Sequence, residues 1–226
     1  FSLQIYFDFA AYSEMAIGLA LLLGLRFPPN FDMPYRATSL REFWRRWHMS
    51  LSRFLRDYLY VPLGGGRHGF QRFALATLVT MGLCGLWHGA GWPFVAWGLL
   101  HGAGLIVCRA WQQGAPPLPA PVGWLLTFLF VVAVFVPFRA PDLATSRSML
   151  GAMLGFGGAG GWPTRPQAAL LAVGLGLALL PWPNPEIVRA RWRSHPALAA
   201  FAALVAFWCV LEVGRGQPAS FIYFQF

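Results

Sequence analysis

Lysine is missing altogether from these 226 residues, so all 17 basic side chains are arginine. Acidic groups are scarce as well, 8 in number, which leaves a net charge of +9. Charged residues of both signs make up 11% of the chain and hydrophobic residues 57%. A soluble domain carries about 25% charged residues, so a water-soluble fold is excluded and the chain reads as an integral membrane protein. In such a protein, excess arginine marks cytoplasmic loops and contact with anionic lipid headgroups. No platform of interleaved aromatic and basic residues is present, and a nucleic-acid partner is not expected.

Cysteine is also rare. Cys84, Cys108 and Cys209 lie singly in apolar runs, without a CxxC pair, so neither a disulfide framework nor a thiolate metal site is indicated. Buried cysteine behaves as a small hydrophobe. Cys84 does lie four residues before His88 on one helical face, which leaves a thiol nucleophile open. No histidines are spaced as HxxxH or HxH, and no bound metal or cofactor is expected. The glycine run Gly64-Gly65-Gly66 lacks the Lys and Ser/Thr of a nucleotide-binding loop. No internal repeat is visible.

What is present is a series of apolar runs of membrane-spanning length, about 20 residues each for a helix. They cover roughly Ile5 to Leu25, Phe73 to Val107, Val122 to Phe138, Pro166 to Leu180 and Pro196 to Val213. The second is too long for one span and is interrupted by Trp87-His88-Gly89-Ala90-Gly91-Trp92-Pro93, so it reads as two spans or a re-entrant pair broken near His88. Arginines concentrate between Arg26 and Arg72 and again at Arg189, Arg191 and Arg193, which places both segments on the cytoplasmic side. An even number of crossings between them satisfies that condition. The Pro-rich Pro116 to Pro121 and Gly-rich Gly155 to Gly161 stretches read as loops.

Ser39 to Tyr60 reads as one amphipathic helix. Ser39 and Glu42 form a capping-box signature. Phe43, Trp44, Trp47, Leu51, Phe54, Leu55 and Tyr58 fall on one face, and Arg41, Arg45, Arg46, Arg53, Arg56 and Asp57 on the other. Such a helix lies along the membrane interface, its aromatic side in lipid or against the bundle. His48 is expected at the boundary of its two faces.

Two Trp-His pairs then stand out: Trp47-His48 in the arginine-rich segment and Trp87-His88 in the apolar one. An ionisable group at membrane depth is costly and by default suggests a functional site. A neutral imidazole at His88 could take a proton from a hydroxyl and return it to a leaving group. Gly85, Gly89 and Gly91 are expected to leave room beside it. His101 reads as packing or a supporting partner, and His68 and His195 as loop residues. Asp8 and Glu14, inside or beside the first apolar run, are expected to pair with arginines of the basic segment. Together with His88 they also admit a second reading: a membrane transporter or export subunit that uses them as a substrate or proton path.

Four stretches together resemble the membrane-bound O-acyltransferases, in the bacterial branch typified by alginate O-acetylation and teichoic acid D-alanylation. They are Tyr6-Phe7-Asp8-Phe9-Ala10-Ala11-Tyr12-Ser13-Glu14-Met15-Ala16-Ile17-Gly18, Phe43-Trp44-Arg45-Arg46-Trp47-His48, Arg56-Asp57-Tyr58-Leu59-Tyr60-Val61-Pro62-Leu63-Gly64-Gly65, and Gly85-Leu86-Trp87-His88-Gly89-Ala90. The ending Phe221-Ile222-Tyr223-Phe224-Gln225-Phe226 is similar to alginate-type members. The resemblance implies an all-α, polytopic transmembrane helix bundle with an interfacial amphipathic helix. It implies a single partial membrane domain over 1–226, with the motifs in 1–110, further transmembrane helices in 111–226, and the N-terminal half of the family fold outside this chain.

The implied activity is transfer of an acetyl group from a cytoplasmic thioester, acetyl-CoA, to an extracytoplasmic polysaccharide such as alginate, by way of a periplasmic acetyltransferase partner. The implied location is the bacterial inner membrane, as a multi-pass protein among membrane lipids. His88 matches the main catalytic histidine of the family and His48 the second. Trp44, Arg45, Arg46, Trp87 and Gly89, neighbours within those motifs, are the expected substrate-binding residues.

Overall fold

Apolar runs in a chain of this composition satisfy their backbone hydrogen bonds internally, as helices. The computed structural model describes residues 1–157, 163–180 and 195–215. Among them the regular structure is helical throughout and no strand occurs. The chain divides into two compact units, Phe1–Leu179 and Leu180–Phe226.

In the first unit, α1 spans Ser2–Leu22. Its buried residues Ile5, Phe9, Ser13, Ile17 and Ala20 recur at helical spacing and form one inward stripe. A 3-10 turn at Pro34–Arg36 leads to α2, Leu40–Arg46. Helix α3, Met49–Leu55, runs on into a π-turn at Arg56–Tyr60. Then come α4 (Gly69–His88), α5 (Trp92–Gly114) and α6 (Ala120–Arg139). Two shorter helices follow, α7 (Leu143–Met153) and α8 (Arg165–Leu179). The described part of the second unit is α9, Pro196–Arg215.

Helices α1, α4, α5 and α6 are long and apolar enough to cross a membrane. Helix α8 is apolar but has 15 residues, about 22 Å of helix against the roughly 30 Å of a bilayer's hydrocarbon core. The second arginine cluster, the end of the Gly-rich stretch and the aromatic C-terminal hexapeptide lie outside the described residues.

The long apolar run of 73–107 resolves into two separate helices. Helix α4 ends at His88 because Gly89 and Gly91 are extended, and α5 restarts with Pro93 in its first turn, where a missing N–H costs nothing. The two helices pack along each other more extensively than any other pair. Small residues permit this. A methyl on Gly85 would collide with the carbonyl of Phe94, and one on Gly98 with the carbonyl of Met81, so the two backbones touch.

Ser39 to Tyr60 is not one helix. It breaks at Trp47-His48, where His48 takes a left-handed conformation with φ 43° and ψ 56°. The cap forms as expected at its start, with the Ser39 hydroxyl accepting from the Glu42 N–H at 3.2 Å. The Glu42 carboxylate, however, accepts from the N–H of Thr38, not Ser39, at 2.8 Å. In α2, Leu40, Phe43, Trp44 and the following Trp47 are all buried. That i, i+3, i+4, i+7 stripe faces the bundle, where Phe43 stacks on Trp47 and Trp44 meets Trp97 edge-on.

Candidate active site

His48 owes its position to a loop residue. The Asn30 side-chain oxygen accepts the Ser50 N–H at 3.1 Å and the Ser50 hydroxyl at 2.9 Å. It also lies 3.3 Å from His48 Nδ1. The Asn30 carbonyl accepts the Met49 N–H, and its amide nitrogen donates to Ser13 Oγ on α1. Since the Asn30 oxygen can only accept, and Ser50 already directs its hydroxyl proton there, the proton of a neutral His48 resides on Nδ1. Its Nε2 then carries the lone pair. Phe9 packs edge-on against the ring at 4.7 Å. Burial pushes His48 down to about 4, and a positive charge on nearby His88 would oppose protonation further. The two motif histidines are thus brought within electrostatic reach of each other, and His48 is neutral at pH 7.

His88 ends α4 inside an aromatic enclosure. Its ring meets Trp87, Trp97 and Phe138 edge-on at 4.9, 5.2 and 5.2 Å between centroids. The room expected beside Gly85 and Gly89 is filled. Helix α5 occupies the first, and the Phe94 ring occupies the space a side chain at Gly89 would need. These glycines serve the helix crossing and the turn.

Behind Trp97 lies His101, fully buried on α5. It accepts a hydrogen bond at Nδ1 from the Trp44 indole N–H, 3.3 Å away. Trp97 contacts both imidazoles, since its ring lies 4.9 Å from His101 and 5.2 Å from His88. Phe43 stacks on the other side of His101. Sequence reasoning read His101 as packing or a supporting partner and did not single out Trp97 or Asn30. The indole–imidazole bond joins residues 57 apart in sequence, and nothing in local spacing marks it.

A cavity of about 650 Å³ opens between α2–α3 and the α4–α5 pair. Five arginines line it, Arg41, Arg45, Arg53, Arg56 and Arg109, and no carboxylate does. Asp57 pairs with Arg56 at 2.7 Å outside the lining, while Arg109 also lies over the Phe73 ring at 4.4 Å. The hydroxyls of Thr77 and Thr80 on the lining are buried and have no partner among the described residues.

Neither histidine lines this cavity. Thr80, Cys84 and His88 succeed one another at four-residue spacing along one face of α4. The eight residues from Thr80 to His88 correspond to about 12 Å of helix. Cys84, between them, is wholly enclosed.

The expected substrate-binding residues separate into two groups. Trp44 and Arg45 line the cavity. Arg46 is turned away into an internal network, with Glu42 at 2.8 Å and the Asp32 carbonyl at 3.2 Å. Trp87 is largely exposed beside His88, and Gly89 is covered by Phe94. Asp8 and Glu14 form no ion pair among the described residues, so the expected pairing with arginines is absent there. His68 is exposed just before α4, as expected of a loop residue.

An all-helical bundle with four helices of membrane-spanning length, two motif histidines within electrostatic reach of each other and an arginine-lined cavity points to a class. The chain belongs to the membrane-bound O-acyltransferase family, whose model matches residues 1–138. It is 48% identical over 158 residues to the probable alginate O-acetylase AlgI of Azotobacter vinelandii, covering 70% of this chain and 32% of that protein. It is 43% identical over 162 residues to the peptidoglycan O-acetyltransferase of Helicobacter pylori, covering 70% and 31%. With the teichoic acid D-alanyltransferase of Streptococcus thermophilus it shares 33% identity over 162 residues, covering 61% and 39%. The chain matches about a third of the length of these curated relatives.

Proposed function

We propose that this chain carries the reacting centre of an inner-membrane O-acyltransferase. It moves an acetyl group from a cytoplasmic thioester to an extracytoplasmic polysaccharide such as alginate, by way of a periplasmic acetyltransferase partner. The observation that carries the reading is the approach of His48 to His88 at the end of the α4 face that begins in the arginine-lined cavity. Relatives whose names specify alginate O-acetylation and peptidoglycan O-acetylation support the reaction class.

The cavity suits a donor with a polyanionic head and a long flexible arm, which is the chemistry of acetyl-CoA. Five guanidinium groups attract phosphates, and of these only Arg56 is held by a carboxylate, Asp57, among the described residues. The arm then follows α4 to bring its thioester to the histidines. There His88 removes the proton from the acceptor hydroxyl as its oxygen bonds to the carbonyl carbon. Collapse of the tetrahedral intermediate breaks the C–S bond, and His88 returns the proton to the departing thiolate. His48, neutral and with Nε2 as acceptor, orients the hydroxyl.

The test is acetyl transfer from radiolabelled acetyl-CoA in membranes carrying the full-length protein. His88→Ala is expected to insert normally and to lower transfer by at least about 10²-fold, the low end for a lost general base. Equal labelling by wild type and mutant removes His88 from the mechanism.

A further inference from the structure

The aromatic layer beside His88 holds two buried N–H groups that the scheme above does not use. His101 accepts the Trp44 indole N–H at Nδ1, and an indole nitrogen can only donate. Nδ1 of His101 is therefore unprotonated, and the proton of the neutral ring resides on Nε2. That Nε2–H has no acceptor among the described residues, and neither does the indole N–H of Trp97. Both side chains are almost completely buried. Buried N–H groups left without an acceptor are rare, because each loses its hydrogen bond to water and gains nothing in exchange. Here two occur on rings in contact with each other, and one of those rings also touches His88.

We propose that Trp97 Nε1–H and His101 Nε2–H are donors for the carbonyl oxygen of the acyl thioester. The proposal rests on the acyltransferase reading above. When the acceptor oxygen bonds to the carbonyl carbon, the carbonyl π pair moves onto its oxygen and the hydroxyl proton passes to His88. The oxygen then bears a full negative charge. Fixed N–H donors directed at it stabilise that charge more than they stabilise the starting carbonyl, which is how such donors accelerate acyl transfer. When the C–S bond breaks, the pair returns and the carbonyl of the new ester leaves the donors.

Trp44 gains a role through this arrangement. By donating to Nδ1 it fixes the tautomer in which Nε2 is the donor, so it acts as a positioning residue. Trp44 also lines the arginine-rich cavity, which places the tautomer-setting bond at the border between that cavity and the histidines.

The experiment is infrared difference spectroscopy of the full-length protein in detergent with acetyl-CoA labelled with carbon-13 at the carbonyl. In the wild type the bound carbonyl band is expected below that of free acetyl-CoA, because hydrogen bonding weakens the C=O bond. Trp97→Phe keeps an aromatic ring but no N–H, and His101→Leu removes the other donor. Each is expected to return the band part of the way to the free position and to lower kcat by about 10²–10³-fold, the typical effect of losing one such donor. KM should change little. His101→Gln restores an amide N–H near the Nε2 position and should recover part of the shift, which a purely packing role does not predict.

A variant that fails to fold shows no bound band, distinct from a bound band at the free position. A wild-type band that is bound but unshifted overturns the proposal, and so does a full shift retained in both Trp97→Phe and His101→Leu. A wild type that binds no acetyl-CoA overturns the donor reading along with it.

Discussion

At His48 the backbone and the side chain make opposing demands. Its left-handed conformation, φ 43°, costs a non-glycine residue about 1 kcal/mol or more, and the Asn30 contacts offset that cost. Its buried imidazole is also held down to about 4, from an ordinary 6.5. The unfolded chain therefore takes up a proton as the pH falls through 6.5, and the folded chain does so only near 4. Folded-state stability contributed by neutral His48 is complete at pH 7 and is lost as the pH falls between those values, by up to about 3 kcal/mol. Thermal melting of the detergent-solubilised full-length protein between pH 7 and 4.5 should show a steeper loss for wild type than for His48→Gln. Parallel curves would mean that His48 is not held neutral by burial. The Trp-His motif singles out His48 in the sequence, but its tautomer is not legible there. Asn30 sits 18 residues away in a Pro-Pro-Asn-Phe loop, and no periodicity ties such a loop to a distant imidazole.

At the level of helices, composition was a good guide where it alone decided the outcome. Runs of apolar residues gave α1, α4, α5 and α6, and the glycines and proline after His88 placed the break between α4 and α5. It misled where tertiary contacts decide. Nothing in Trp47-His48-Met49 interrupts the helical pattern, yet the segment breaks there because Asn30 holds both the His48 side chain and the Met49 N–H. Helix α7 was missed although Asp142 caps it through the Thr145 N–H at 2.6 Å, a start signal available to sequence reading. The glycines illustrate the same limit, since a small residue can open space for a ligand or admit another helix. Gly98 admits another helix, so Gly98→Val should force α5 off the Met81 carbonyl and sharply reduce the monodisperse protein recovered in mild detergent. Wild-type recovery would show that the α4–α5 crossing tolerates displacement.

For the molecule as a whole, the arginine-lined cavity and the histidine centre lie in sequence along α4, so binding and chemistry should respond separately to mutation. Arg53→Gln and Arg109→Gln, both cavity-lining, are each expected to raise KM for acetyl-CoA several-fold with kcat nearly unchanged, the signature of lost uniform binding. Steady-state kinetics on the full-length protein tests this, and a fall in kcat at constant KM would assign those arginines to the reacting centre. The chemical nature of this positive charge has a further consequence. A thioester readily acylates amines, and a lysine held beside one at neutral pH becomes a competing nucleophile as its proton is lost. Guanidinium stays protonated and has no nucleophilic lone pair to offer. If the proposed donor enters this cavity, its activated acyl group meets five arginines on the wall and no lysine amine from these 226 residues. On the proposed reading, the charge that draws the donor in comes without a lysine amine on the cavity wall that could be acylated.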